Sequence, residues 1–520
     1  MPTESDAQSP PDFAASLRGV RKDFGAVAAL SDLDLDLPRG TVTALLGANG
    51  AGKSTLLHLL AGRLAPSQGT ISVLGVVDPA TAGQRERNAL RRDLGFVPQD
   101  LALDPEMTGR ETLDLIASLH GVPRKRRPAR IAEIAAAFGI EKPLDRPVAT
   151  WSGGQKRRLH LAAGMIHDPA LLLLDEPTAG LDAEGTAMLW AELGRRAANG
   201  VAVVISTHDH VAAEAADRVV VLEGGRMAAL TPGPSPKGRG EKSHDASAVP
   251  PSPFGRGAGG EGWNGKLLPF DAIRAVARRT TRAVLRRPVL LTFSLGQPLI
   301  WMLFFGFLFH RFQLDPTGHT TYLDYLAPGV SVMTLLFGAS QAGIGWIRDL
   351  QTGFLPRLLA APAGPAPILA GKLLADVARL VVQALVVLLL ARLLGAHLLW
   401  APAATAMALL YLALFACSFA ALSSILAFVT RSQEGMATFV HLVNMPLFFT
   451  STALVPHRVM PAWLAAIARF NPLSVTVDAW RGALLLGEQP GWIGVIPLLA
   501  LAVVGCGVAL VLMQRADAQD

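Results

Sequence analysis

The chain holds 520 residues, of which 51% are hydrophobic and only 17% charged, and its mean hydropathy is +0.37. An ordinary soluble chain carries about 25% charge, so a disordered protein is excluded and a wholly soluble one disfavoured. The net charge of +6 is too small an excess over this length to point to nucleic acid, and no nucleic-acid partner is expected.

Met1–Asp12 is polar and acidic with no apolar stretch, so no cleaved signal peptide is expected there. From Ala14 to about Leu230 the chain reads as soluble α/β. Apolar runs at Thr41–Leu46, Leu171–Leu174, Val201–Ile205 and Val219–Leu222 have the length and composition of buried parallel strands. Helical patterns with charged faces, such as Arg130–Phe138 and Gln155–Ile166, lie between them. That alternation predicts a doubly wound sheet.

The first of these runs leads into Gly47-Ala48-Asn49-Gly50-Ala51-Gly52-Lys53-Ser54, then Thr55 and a predicted helix over Ser54–Leu60. The spacing G-x-x-x-x-G-K-[ST] between strand and helix is that of a phosphate loop. Its glycines let backbone N–H groups converge on phosphate oxygens, and the helix N-terminus favours negative charge. Lys53 supplies a positive charge to the outer phosphates of a nucleotide, and Ser54 offers a hydroxyl to Mg²⁺. The strand Leu171–Leu174 ends in Asp175-Glu176. Two adjacent carboxylates at the end of a buried strand suit two tasks. Asp175 is placed to hold Mg²⁺, directly or through water, and Glu176 to orient or deprotonate an attacking water.

Thr231–Gly262 is rich in Pro, Gly, Ser and charge. It contains two similar pieces, Pro234-Ser235-Pro236-Lys237-Gly238-Arg239-Gly240-Glu241 and Pro251-Ser252-Pro253-Phe254-Gly255-Arg256-Gly257. It buries too little apolar surface to offset its ordering entropy and reads as a flexible linker. Phe270–Arg287 then sets Phe270, Ile273, Val276, Ala277 and Val284 among six arginines. It reads as a basic amphipathic helix on a lipid surface, with a solvated charged helix as the alternative.

Beyond Pro288, apolar stretches of about the length that crosses a hydrocarbon core recur at Val289–Phe309, Leu326–Trp346, Val377–Leu394, Ala403–Val429, Gly435–Val455 and Trp492–Met513. A soluble helix needs a polar face, and these have almost none. The basic residues of Arg348–Lys372, Arg431 and Arg515 fall on one side of six such spans, consistent with a cytoplasmic C-terminus. Pro456–Gly491 falls on the other side and is apolar enough to dip back as short helices. Gln297, Gln341, Gln383, His441 and Asn444 lie within the spans, where interhelical hydrogen bonding is the simpler role and a substrate path the alternative. Cys417 and Cys506 both lie in apolar runs, which excludes a disulfide scaffold and leaves neither with a metal-ligating neighbour. The expected organisation is an ATP-binding domain over 1–230, the linker over 231–262, an interfacial helix over 263–288 and a six-span all-α membrane domain over 289–520.

Trp151-Ser152-Gly153-Gly154-Gln155, just upstream of the carboxylate strand, is similar to the signature of the ATP-binding-cassette (ABC) ATPases. With the phosphate loop and Asp175-Glu176, it makes roughly Ala14–Leu230 resemble that family. The resemblance implies an α/β P-loop ATPase. In it, Ser152, Gly153, Gly154 and Gln155 cap an ATP held by the phosphate loop of a second subunit, so a homodimer is expected. The signature opens a helix, which suits it to contact a terminal phosphate. By the same resemblance, Gln99 reaches Mg²⁺ and the water, Asp182 lies at the dimer seam and His208 contacts the γ-phosphate. Phe24 stands where the family stacks an aromatic on adenine, and a core Phe at a strand end is the alternative. The expected cofactors are ATP and Mg²⁺, with Glu176, His208 and Gln99 as the catalytic set.

Ala327-Pro328-Gly329, Gly353-Phe354-Leu355-Pro356-Arg357 and Asn471-Pro472-Leu473 resemble the permease of type-2 ABC exporters, although Gln351 stands where that family commonly has a second acid beside Asp349. The resemblance implies an exporter of an unidentified substrate in the cytoplasmic membrane, in contact with lipid, with Arg348–Pro362 docking on the ATPase near Gln99. A non-transporting ABC ATPase and a membrane receptor with a regulatory nucleotide domain are the competing readings. The apolar spans weigh against the first, and Glu176 with His208 against the second.

Overall fold

The computed structural model describes residues 13–232, 269–309 and 321–519, and divides into two units. The first unit runs to residue 272 and includes Thr352–Gly364, and the second comprises Ile273–Gln351 and Pro365–Gln519. Residues 1–12, the predicted linker from 233 to 262, the first part of the predicted interfacial helix over 263–268, and residues 310–320 and 520 lie outside the described residues.

Among the described residues the first unit contains ten strands: β1 Phe13–Phe24, β2 Val27–Pro38, β3 Val42–Leu46, β4 Gln68–Val73, β5 Val76–Val77, β6 Leu94–Val97, β7 Leu171–Asp175, β8 Ala202–Thr207, β9 Arg218–Glu223 and β10 Arg226–Pro232. Its helices are α1 Lys53–Leu60, α2 Gln84–Asp93, α3 Gly109–Leu119, α4 Arg127–Ala137, α5 Gly153–Met165, α6 Ala183–Ala198 and α7 His210–Glu214. The six-stranded sheet has the order β10-β9-β3-β8-β7-β6, parallel except for β10. All four predicted parallel strands are in it.

Two features go beyond the doubly wound expectation. β1, β2, β4 and β5 form a separate antiparallel sheet. The alternation Leu33-Asp34-Leu35-Asp36-Leu37 gives β2 one buried and one polar face, the signature of a half-covered antiparallel strand. The second feature is β10, which continues to Pro232 by pairing Thr231 with Val219 and Pro232 with Arg218, so the sheet takes in the first two residues of the predicted linker. Helix α1 lies between the sheets. Leu56, Leu57, Leu59 and Leu60 are fully buried in one core with Leu17, Leu30, Leu45, Leu173 and Val220, which fixes the helix that carries the phosphate loop.

The second unit is helical: α8 Pro269–Leu285 (from Ile273), α9 Pro288–Leu308, α10 Tyr322–Ser340 and α11 Ala342–Gln351 precede the insert α12 Phe354–Leu359, which belongs to the first unit. α13 Pro365–Leu393, α14 Pro402–Thr430, α15 Gln433–Phe439, α16 Met445–Phe449, α17 Ala462–Phe470, α18 Pro472–Arg481 and α19 Val495–Gln519 complete it. Five of the six predicted spans are helical along most of their length. Among the described residues, four stretches are long and apolar enough to cross a membrane: Tyr322–Gln351, Pro365–Leu393, Pro402–Thr430 and Trp492–Arg515, with a shorter apolar helix at Leu295–Leu308. The fifth expected span is not one regular helix. A π-helical turn over Val440–Asn444 interrupts it just before Pro446, which lacks the backbone donor a regular ladder needs, and the helix ends at Phe449.

The permease-like motifs have local structural reasons. Gly329 of α10 faces the Ala453 carbonyl so closely that a Cβ there would sit 2.2 Å from it. Asn471 caps α18 by accepting from Leu473 N–H at 2.9 Å, and its amide donates to the Leu447 carbonyl at 2.7 Å. Asn444 donates to Ser340 at 2.6 Å, an interhelical bridge of the kind expected for polar residues in spans. α8 does not present all its arginines to a surface: Arg279 makes a bidentate pair with the buried Asp349 of α11 at 2.5 and 2.8 Å. Of the predicted re-entrant segment, α18 packs inside the unit, where Trp480 is fully buried and donates to Ser331 at 3.0 Å.

Candidate active site

The phosphate loop leaves the C-terminal end of β3, between β8 and β9, and closes at α1. Gly52 is the N-cap at φ +99°, and a Cβ there would stand 2.7 Å from the Ala29 carbonyl, so only glycine fits. Gly47 approaches the Leu222 carbonyl just as closely, which ties the loop to β9. Ala48, Asn49, Gly50 and Ser54 are exposed, Thr55 is half-buried, and the Lys53 stem is buried. The Lys53 ammonium donates to the Gly47 and Ala48 carbonyls at 2.7 and 3.1 Å, which holds its charge within the loop.

β7 and β8 bring the carboxylates to the same edge. Asp175 and Ser206 are register partners, and the buried Ser206 hydroxyl donates to Asp175 Oδ1. The Ser206 hydroxyl oxygen in turn accepts from Glu176 N–H at 3.0 Å, so one serine fixes both acids. Glu176 adopts φ +45°, a left-handed conformation that turns its side chain off the strand line. Its Oε1 lies 3.0 Å from Nδ1 of His208, whose side chain is 64% exposed. Asp209 next to it caps α7.

Sequence reasoning missed the residue that joins these parts. Arg157 is buried on α5 and donates to the Gln99 carbonyl at 2.7 Å and to the Asp175 and Pro177 carbonyls at 3.1 and 3.3 Å. Burial lowers its pKa, and the charges of Asp175 and Glu176 act in the opposite direction. The signal was there: Arg157, Leu161 and Gly164 are spaced on one helix face, so a cation sits in the buried stripe. Gln99 itself has an exposed side chain.

Ser152 opens α5 with a capping box, accepting from Gln155 N–H at 3.2 Å while Gln155 Oε1 accepts from Ser152 N–H at 3.1 Å. Ser152 and Gly153 are exposed, and Gly154 lies beside the Gly180 carbonyl. Asp182 caps α6 through Gly185 N–H at 2.9 Å. Trp151 is buried against Gly109, where a Cβ would come within 2.6 Å of its ring. Among the described residues, no hydrogen bond joins Ser152–Gln155 to Gly47–Ser54 of the same chain. Phe24 is 50% exposed at the end of β1 with the Lys22 ammonium 5.2 Å from its ring centroid, so it is not a core residue.

The insert α12 docks within this unit. Arg357 is buried and donates to the Ala102 and His160 carbonyls at 3.1 and 3.2 Å. Arg91 donates to the Leu359 carbonyl at 2.8 Å. Gln99 and Ala102 lie on the same loop after β6, as the expected docking near Gln99 requires.

Residues 30–179 match the family described as ABC transporter, and residues 271–485 match the ABC-2 type transporter family. The daunorubicin resistance ATP-binding protein DrrA3 of Streptomyces coeruleorubidus is 40% identical over 221 residues, covering 42% of this chain and 68% of the relative. The chain belongs to the ABC transporter family. The Nod factor export ATP-binding protein I of Bradyrhizobium diazoefficiens is 39% identical over 41% of the chain and 69% of its own length. The nickel import ATP-binding protein NikO of Rhodobacter capsulatus is 43% identical over 42% and 89%. The transporter is an integral membrane ATP hydrolase with a cytoplasmic α/β ATPase domain followed by a helical ABC-2 membrane domain.

The Mg²⁺ that such ATPases use fits the oxygen donors here. Ser54 is exposed at the loop, Asp175 keeps one oxygen clear of the Ser206 bond, and the exposed Gln99 amide offers a third.

Proposed function

We propose that the protein exports an organic substrate across the cytoplasmic membrane as a homodimer, hydrolysing ATP at two sites shared between the copies. The observation that carries this reading is the exposed signature helix end, Ser152 and Gly153, without a bond to its own phosphate loop. Exposed backbone donors at a helix N-terminus favour an anion, and the phosphates held by a second copy supply one. In each site Lys53 and the loop N–H groups hold the phosphates, with adenine stacked on Phe24. Glu176 takes the proton of the attacking water, and His208, bonded to Glu176, orients that water and the γ-phosphate. Ser54, Asp175 and Gln99 would hold Mg²⁺, which offsets phosphate charge when bound. Asp182 lies at the seam. The ATPase relatives include both an export and an import protein, so outward direction rests on the ABC-2 permease match.

The proposed parts are the ATP-binding domain 1–230, a linker 231–262, the interfacial segment 263–288 and the membrane domain 289–520. The C-terminus is proposed to be cytoplasmic, and lipid surrounds the spans.

Complementation tests the shared site. One copy carries Lys53→Ala and the other Gly153→Glu, with separate tags for tandem purification. Each variant alone lacks ATPase activity. A shared site restores about half of it in the mixed dimer, whereas a site within one chain restores none. Uptake of daunorubicin into inside-out vesicles on ATP addition is the first cargo assay, chosen for the DrrA3 relative.

A further inference from the structure

The chain has two cysteines, 89 residues apart, and the fold brings them together: Cys417 Sγ of α14 lies 3.9 Å from Cys506 Sγ of α19. Both are free thiols and both are half-buried, so neither is sealed inside the packed core. The helices approach closely on either side of the pair. A Cβ on Gly505 would lie 3.2 Å from that of Ala421, Ser418 donates to the Leu498 carbonyl at 3.2 Å, and Tyr411 donates to the Gly491 carbonyl at 2.5 Å. These contacts hold the two thiols in register. A disulfide needs sulfurs about 2.05 Å apart, so the gap to be closed is about 2 Å. Only 22% of the α19 span is buried within the unit, so its attachment rests largely on this seam with α14.

We propose that Cys417 and Cys506 form a reversible disulfide that locks α14 to α19 and arrests the transport cycle. Both thiols lie on stretches long and apolar enough to cross a membrane, so the fitting oxidant is a lipid-soluble quinone. The two thiols lose two electrons and two protons, one S–S bond forms, and the quinone becomes a hydroquinone. A dithiol reductant reverses the step by exchange. Alternating access requires helices of the membrane domain to move past one another, and a covalent bond across one seam removes that freedom. ATP binding in the first unit is untouched.

The experiment uses the full chain in lipid vesicles treated with decylubiquinone. Maleimide-reactive thiols should fall from two to none per chain, and a non-reduced digest should yield one linked peptide joining Cys417 to Cys506. ATPase turnover should fall at least fivefold and return with dithiothreitol, while Cys417→Ser and Cys506→Ser turn over equally with and without the quinone. Thiols that stay reactive overturn the disulfide, as does a link between two chains on a non-reducing gel. An intramolecular disulfide with unchanged turnover overturns the arrest. The thiol count and the linked peptide do not depend on the cargo or the export direction, so they stand apart from that reading.

Discussion

Arg357 is a buried cation whose energetics close on themselves. Desolvation alone lowers its pKa from 12.5 to about 9. At about 1.36 kcal/mol per pKa unit, this corresponds to about 5 kcal/mol against burying the charge. Against it stand the bonds to the Ala102 and His160 carbonyls. A hydrogen bond from a charged donor contributes about 1.5–3 kcal/mol, so the pair returns about 3–6 kcal/mol. The two sums nearly cancel, and the guanidinium therefore orients α12 more than it stabilises the docking. Phe354, Leu355 and Leu358, all fully buried, supply the apolar part of the attachment. Arg357→Met keeps the stem and removes both the penalty and the bonds, and the docking free energy should change by less than about 2 kcal/mol, a factor of roughly 30 in the docked population. Arg357→Glu instead sets a carboxylate against two carbonyl oxygens in a buried site and should cost several kcal/mol. Amide hydrogen exchange over 352–364 in the full chain reads both. The Met variant should keep protection within about 30-fold of wild type, and the Glu variant should lose well over 100-fold. Equal loss in the two variants would refute the cancellation, because the guanidinium bonds would then outweigh the desolvation cost by a wide margin.

Glu176→Gln should retain nucleotide binding and lose ATP turnover by about 10²–10⁴-fold, since an amide cannot accept the water proton; steady-state hydrolysis near wild type sinks the base assignment. Ser206→Ala removes the hydroxyl that bridges Asp175 and Glu176 N–H and should cost about 1–3 kcal/mol of stability by denaturant unfolding, together with reduced turnover at full ATP occupancy. Burial lowers the pKa of His120 from 6.5 to about 4, and His160 and His167 shift in the same direction. The unfolded chain therefore binds more protons between those values. The ATPase unit should be fully stable above pH 6.5 and lose about 3 kcal/mol through His120 alone as pH falls to 4. His120→Phe should flatten that pH profile of hydrogen exchange in α3, and an unchanged slope would count against a buried neutral imidazole.

The local elements of the expected nucleotide site were legible because their determinants are local. The loop Gly47–Ser54 needs a strand before it, a helix after it and glycines where a Cβ has no room, and all three conditions are written within about 20 consecutive residues. The same holds for the Ser152–Gln155 cap, for Asp175-Glu176 at a strand end and for the apolar spans, whose length is set by the thickness of a hydrocarbon core. What the sequence could not state is which distant groups meet. Ser206 touches Asp175 because β7 and β8 pair in one register, and a shift of one residue would turn that hydroxyl to the other face of the sheet. Arg157 gathers carbonyls from the Gln99 loop and from the end of β7, a convergence that depends on where α5 crosses the sheet. Asp349 finds its partner 70 residues upstream, and Cys417 finds Cys506 89 residues downstream, through helix packing alone. Periodicity fixes which face of an element is apolar. Only tertiary packing, through side-chain volume and glycine-sized gaps, decides which neighbour that face meets.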